Sequence, residues 1–239
     1  MGLRTLLQRK LLFLSLFPSS LLALLVSSAL STESNPAWAL DARDFNRQGI
    51  QLQSEGKLKE AVECYRRAIA LNPGAGGAGY HNNLALALKD LGDLPSAEAE
   101  ARLALRYRPK RADYHFNLGI ILQKEKKHIE AEQSFRAAIA LDSTDTEFHF
   151  RLGQVLLQQE ALDRAEEEAK LALLLKPDNG DYNELLGDIY LRQKKLDNAL
   201  NQYKQVCANR GYTAATVPGD LKAKIDMARS GMDSSTTAR

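Results

Sequence analysis

The sequence lacks most of the features that announce a chemistry. Its 239 residues hold two cysteines, Cys64 and Cys207, and four histidines. Basic and acidic residues number 32 and 30, for a net charge of +2, and beyond Ala39 the two signs balance. That balance excludes the basic footprint of a nucleic-acid binder. No phosphate-cradling loop, no nucleophile elbow and no metal-binding His pair on a helix occurs. Gly74–Gly77 is glycine-rich, but no strand precedes it, so it reads as a joint between helices. These absences point away from an enzyme and imply neither cofactor nor metal. There is no N-x-S/T glycosylation sequon, which favours a bacterial over a eukaryotic secretory source.

What the chain has instead is repetition. Ala61, Ala97, Ala131, Ala165 and Ala199 mark five copies of one pattern, and the last four stand 34 residues apart. The first step is 36, because Gly74–Gly77 adds two residues. Twelve positions before each alanine lies another small residue: Gly49, Ala85, Gly119, Gly153 and Gly187. Within Ala112–Leu141 the apolar residues Leu118, Ile121 and Leu122, then Ala131, Phe135 and Ala138, fall at helical steps on either side of a polar KEKKH turn. Each copy is therefore a pair of helices. One pair has no core of its own, so neighbours must stack.

This pattern resembles the tetratricopeptide repeat (TPR) family. Repeat one matches with Phe45, Gly49, Leu52, Ala61, Tyr65, Ala68 and Pro73, and repeat two with Leu84, Ala85, Leu88, Ala97, Ala104 and Pro109. Repeat three has Leu118, Gly119, Leu122, Ala131, Phe135 and Ala138, with Ser143 where the family has proline. Repeat four has Leu152, Gly153, Leu156, Ala165, Ala172 and Pro177. Repeat five has Leu186, Gly187, Tyr190, Ala199 and Tyr203 before it departs at Val206 and Gly211. The resemblance implies an all-α fold, a right-handed α-solenoid of five TPR helix-turn-helix repeats over residues 42–211. Their bounds are 42–75, 78–111, 112–145, 146–179 and 180–213. A C-terminal capping helix over 219–230 covers the last repeat, and 231–239 is expected to be a disordered tail. Gly56 and Gly92 suit a left-handed turn between paired helices; Lys126, Glu160 and Lys194 stand at the same place, so those turns are expected to be tighter or more strained.

The resemblance also implies a concave groove lined by the first helix of each repeat. Position 5 of the repeat holds Asn46, Asn82, Phe116, Phe150 and Glu184. Position 9 holds Ile50, Leu86, Ile120, Gln154 and Asp188, and position 6 holds Arg47, Asn83, Asn117, Arg151 and Leu185. Phe116 and Phe150 beside Ile50, Leu86 and Ile120 suggest an exposed apolar strip for a protein or peptide partner. The alternative is that neighbouring helices cover them. The asparagines, Asn46, Asn82, Asn83 and Asn117, have donors and acceptors for an extended backbone. Arg151 and Gln154 complete the candidate partner-binding set. Asp113, Glu147 and Asp181, with Glu184 and Asp188 near the last, suggest a partner that is basic where it meets repeats four and five, or else acidic residues that serve the helix dipole.

Met1–Ala39 stands outside the array. Arg4, Arg9 and Lys10 precede the apolar Leu11–Leu30, and Ala37-Trp38-Ala39 closes the segment, the pattern of a secretory signal peptide. The apolar run is also long enough for an uncleaved membrane anchor. The PAWA ending is similar to cyanobacterial signal peptides, which implies the periplasm or thylakoid lumen and a setting in membrane-complex assembly. His81, His115 and His149 are each one repeat apart, so stacked helices would keep them too far from one another for a shared metal, whose ligands sit at about 2.0–2.1 Å. They read as packing residues, and His128 has no ligand partner at suitable spacing. Several helix layers separate Cys64 from Cys207, which argues against an internal disulfide; an intermolecular one is left open.

Overall fold

A computed structural model describes residues 41–236; the expected signal segment, Met1–Ala39, lies outside the described residues. Among the described residues eleven α-helices follow one another. They are α1 Ala42–Ser54, α2 Leu58–Leu71, α3 Ala78–Leu91, α4 Leu94–Tyr107, α5 Ala112–Lys124, α6 His128–Leu141, α7 Thr146–Gln158, α8 Leu162–Leu175, α9 Gly180–Arg192, α10 Leu196–Arg210 and α11 Gly219–Thr236. A 3-10 turn, Ala75–Gly77, lies between α2 and α3. Among the described residues there is no strand, and no helix is long and apolar enough to cross a membrane.

Odd- and even-numbered helices pair as hairpins, and each hairpin packs on the next, as the 34-residue period requires. Successive odd helices also touch, so α1, α3, α5, α7 and α9 share one side of the stack. The five marker alanines, Ala61, Ala97, Ala131, Ala165 and Ala199, are fully buried where the helices of a pair face each other. The stacking produces one continuous core from Ala61 to Ala228 rather than five separate ones.

Small residues at position 8 serve a specific contact. In repeats one, three and five a Cβ on Gly49, Gly119 or Gly187 would come within 2.6, 2.6 and 2.5 Å of the ring of Tyr65, Phe135 or Tyr203. Those rings, at position 24, are wholly buried. Repeats two and four carry Ala101 and Ala169 there instead, and the closest approach to Gly153 is Leu185 Cδ2 at 3.1 Å.

The hairpin turns share one backbone conformation. Gly56 (φ 75°), Gly92 (87°), Lys126 (60°), Glu160 (57°) and Lys194 (61°) are all left-handed. Three non-glycine residues therefore carry the strain expected of them. At the starts of later helices, side chains accept bonds from free N–H groups. Asp93 caps α4 through Ser96 N, Asp145 caps α7 through Glu147 N, and Asn179 caps α9 through Asp181 N and Tyr182 N.

A ladder of ion pairs, absent from the repeat consensus, runs along the even helices. Glu98, Glu132 and Glu166 stand one repeat apart. Each accepts from a basic residue one turn on (Arg102, Arg136, Lys170) and from one in the following repeat (Lys127, Arg164, Lys195), at 2.6–3.0 Å. Hydrogen bonding from Lys127 draws Glu98 down to about 2. Burial opposes ionisation at Glu166, but bonds from Lys170 and Lys195 outweigh it and bring it also to about 2.

The last helix corrects one expectation. α11 runs to Thr236, so 231–236 are helical rather than a disordered tail. Leu221, Ile225 and Ala228 are buried and seat the helix on α10. Both cysteines are free; Cys64 is buried and Cys207 half-buried.

Candidate functional site

The odd helices bring positions 2, 5, 6 and 9 together between neighbouring repeats. The clearest result is a cavity of about 340 Å³ between α7 and α9, lined by Phe150, Arg151, Gln154, Asp181, Glu184, Leu185 and Asp188. Phe150 and Leu185 form its floor. The Phe150 ring packs on Tyr182 at 4.9 Å between centroids, and the Arg151 guanidinium stands 5.6 Å from the Phe150 centroid. Arg151 is held by Glu147 at 2.7 Å and by Gln154 at 3.3 Å, so its head spans the cavity wall.

The apolar strip expected across repeats one to four is not continuous. Phe150 is only 9% exposed, because Tyr182 from the next repeat covers it. Phe116 is half-buried between Phe135 and Phe148, at 5.8 and 4.8 Å. Leu86 and Ile120 are half-buried, and Ile50 alone of the five stands out, at 50% exposure. Phe148 and Tyr182 reach these rings from the next hairpin, and Phe135 from the second helix of the same one.

The asparagines are used first on one another. Asn83 donates to Asn46 Oδ1 and Asn117 to Asn82 Oδ1, both at 2.9 Å, stitching α1 to α3 and α3 to α5. Asn82 is buried, while Asn46, Asn83 and Asn117 are half-buried. After these bonds Asn83 and Asn117 each retain an N–H and the carbonyl oxygen.

The acidic end is also satisfied internally, which changes the expectation of a free negative patch. Asp181 pairs with Arg210. Glu184 accepts from Arg210 at 3.2 Å and from Lys224 at 2.9 Å. Asp188 accepts from Lys224 at 2.9 Å and from the buried Tyr203 hydroxyl at 2.9 Å. Arg210 closes α10 and Lys224 belongs to α11, so neither is near these carboxylates in the chain. In repeat three Asp113 is likewise bound by Arg111 through two bonds, which hold its carboxyl below the ordinary range.

Three of the four histidines have structural partners, while Nδ1 of His128 is buried without one. His81 Nδ1 lies 2.6 Å from Glu100, and His149 Nδ1 lies 2.7 Å from Glu168. The Nε2–H groups of His115 and His149 donate to the carbonyls of Pro109 and Ser143. Among the described residues no group of three or more His, Cys, Asp or Glu is placed to hold a metal ion.

Family models described as tetratricopeptide repeat match residues 42–75, 82–146, 122–189 and 180–210, which together take in nearly the whole helical array. The chain belongs to the tetratricopeptide repeat family. Solved TPR structures share the fold. MamA (41-end) of Desulfovibrio magneticus RS-1 aligns at TM-score 0.66 with 21% identity, over 71% of this chain and 94% of that one. PilF of Pseudomonas aeruginosa aligns at 0.64 with 23% identity, over 80% and 88%. YrrB, described as a TPR protein with an unusual peptide-binding site, aligns at 0.61 with 20% identity, over 81% and 92%. As a TPR array of this kind, the chain is a protein-interaction scaffold.

Proposed function

We propose that this TPR protein works outside the cytoplasm, in the periplasm or thylakoid lumen, as a peptide-binding scaffold or assembly factor for membrane complexes. It takes an extended or helical segment of its partner along the odd helices. The observation that carries the reading is the cavity between α7 and α9, where Phe150, Arg151 and Gln154 of one repeat meet Leu185 and three carboxylates of the next. An apolar floor with convergent polar groups is the usual composition of a binding site. The half-free Asn83 and Asn117 extend the same side toward repeats two and three. YrrB's described peptide-binding site supports the reading through shared fold alone.

A photo-crosslinking amino acid at Gln154 tests it, with the same group at Leu174, a 76% exposed residue on α8, as control. Partner adducts should form from position 154 and not from 174; the reverse pattern refutes the groove assignment. A second reading, a scaffold tethered by an uncleaved anchor, is favoured by the length of Leu11–Leu30. Mass spectrometry of the mature N-terminus separates the two: a start at Leu40 supports export with cleavage, and an intact Met1 supports tethering.

A further inference from the structure

We propose that Lys224 is an internal stand-in for a cationic side chain of the partner, and that the partner's arginine or lysine displaces it from Glu184 and Asp188. This rests on the groove reading and adds the chemistry of the segment bound there. Taken alone, the cavity lining carries three carboxylates, Asp181, Glu184 and Asp188, against one guanidinium, Arg151. Arg151 is already committed to Glu147, and Asp181 to Arg210. Glu184 also accepts from Arg210, at 3.2 Å, and the ammonium of Lys224 bridges it to Asp188, bonding Glu184 Oε1 and Asp188 Oδ2 at 2.9 Å each.

The other partners of those carboxylates are less easily moved. The Tyr203 hydroxyl sits on a wholly buried ring. Arg210 is shared with Asp181. Lys224 is held by a flexible four-carbon stem and keeps 25% of its side chain exposed. It can swing into water while Leu221, Ile225 and Ala228 keep α11 seated. An entering arginine or lysine would lay its methylenes on Phe150 and Leu185 and place its charge where Lys224 had been. The fit is to an amphipathic cation; an anionic or purely apolar segment gains nothing from the exchange.

Fluorescence anisotropy with a labelled peptide of Gly-Ser-Arg triplets, and its counterpart with glutamine for arginine, tests this on the mature protein. Lys224→Met should bind the arginine peptide about fivefold more tightly than wild type, the scale of two partly exposed ion pairs. Lys224→Arg should match wild type, and Glu184→Gln with Asp188→Asn should weaken binding. The glutamine peptide should not respond to Lys224→Met. An unchanged or weaker affinity for Lys224→Met, with helicity intact by circular dichroism, overturns the proposal, as does an equal gain for the glutamine peptide. If position 154 still crosslinks the partner in that case, the groove stands and only the displacement fails.

Discussion

Phe135 lies over Gly119 so closely that a Cβ there would meet Cε1 of the ring at 2.6 Å. The ring is wholly buried and has no room to withdraw. This contact closes the third hairpin, and its equivalents, Gly49 with Tyr65 and Gly187 with Tyr203, close the first and fifth.

Gly119→Ala should therefore destabilise the array although alanine is the better helix former. Overpacking costs about 1–3 kcal/mol, against about 1 kcal/mol of propensity gained. The expected net loss is up to about 2 kcal/mol by urea denaturation. Gly153→Ala meets only the end of Leu185, at 3.1 Å, and should cost clearly less. Equal losses at the two sites would show that the ring contact is not what sets the residue.

Lys194 holds a left-handed backbone at φ 61°. A left-handed conformation costs a non-glycine residue about 1–2 kcal/mol, while glycine gives back about 0.4–1 kcal/mol through the unfolded chain. Lys194→Gly should stabilise by about 0.5–1 kcal/mol. Gly92→Ala, at φ 87°, should do the opposite. Thermal melts of the two variants, read against wild type, check both signs.

Asn117→Ala leaves the Oδ1 of Asn82, a buried residue, without its donor. The expected cost is about 1–2 kcal/mol. Asn83→Ala removes the equivalent bond to Asn46, which is half-buried and can be rehydrated, and should cost about half as much. Denaturation midpoints of the two variants decide whether the ladder matters more at its inner rung.

The Glu98 and Glu166 carboxyls are drawn from an ordinary value of 4.5 to about 2 in the fold. A depressed folded value means that their contribution is complete above about 4.5 and is lost as pH falls toward about 2. The melting temperature should fall through that window. Glu98→Gln with Glu166→Gln should start lower at neutral pH and show a flatter decline. A decline as steep as the wild type's would place the acid sensitivity elsewhere.

Much of the architecture was legible in the spacing of small residues. Ala61, Ala97, Ala131, Ala165 and Ala199 state the period, and a helix pair without its own core must stack on the next. The places of the later hairpin turns were also legible, because Lys126, Glu160 and Lys194 stand where Gly56 and Gly92 do in their repeats; that all five are left-handed emerged only in the fold. The end of α11 was not: residues 231–236 have no apolar pattern to mark them as helical.

The exposure of the candidate site was decided only by stacking. Phe150 and Phe116 share a register position, yet Tyr182 covers the first and Phe148 the second, each from the neighbouring hairpin. The acidic residues of repeat five read as an open patch in one dimension. In three dimensions Arg210 and Lys224 arrive from 26 to 40 positions along the chain to neutralise them. Local spacing sets which face a side chain takes on its helix; what meets that face depends on the angle and offset between successive hairpins, and these arise only once the repeats have packed.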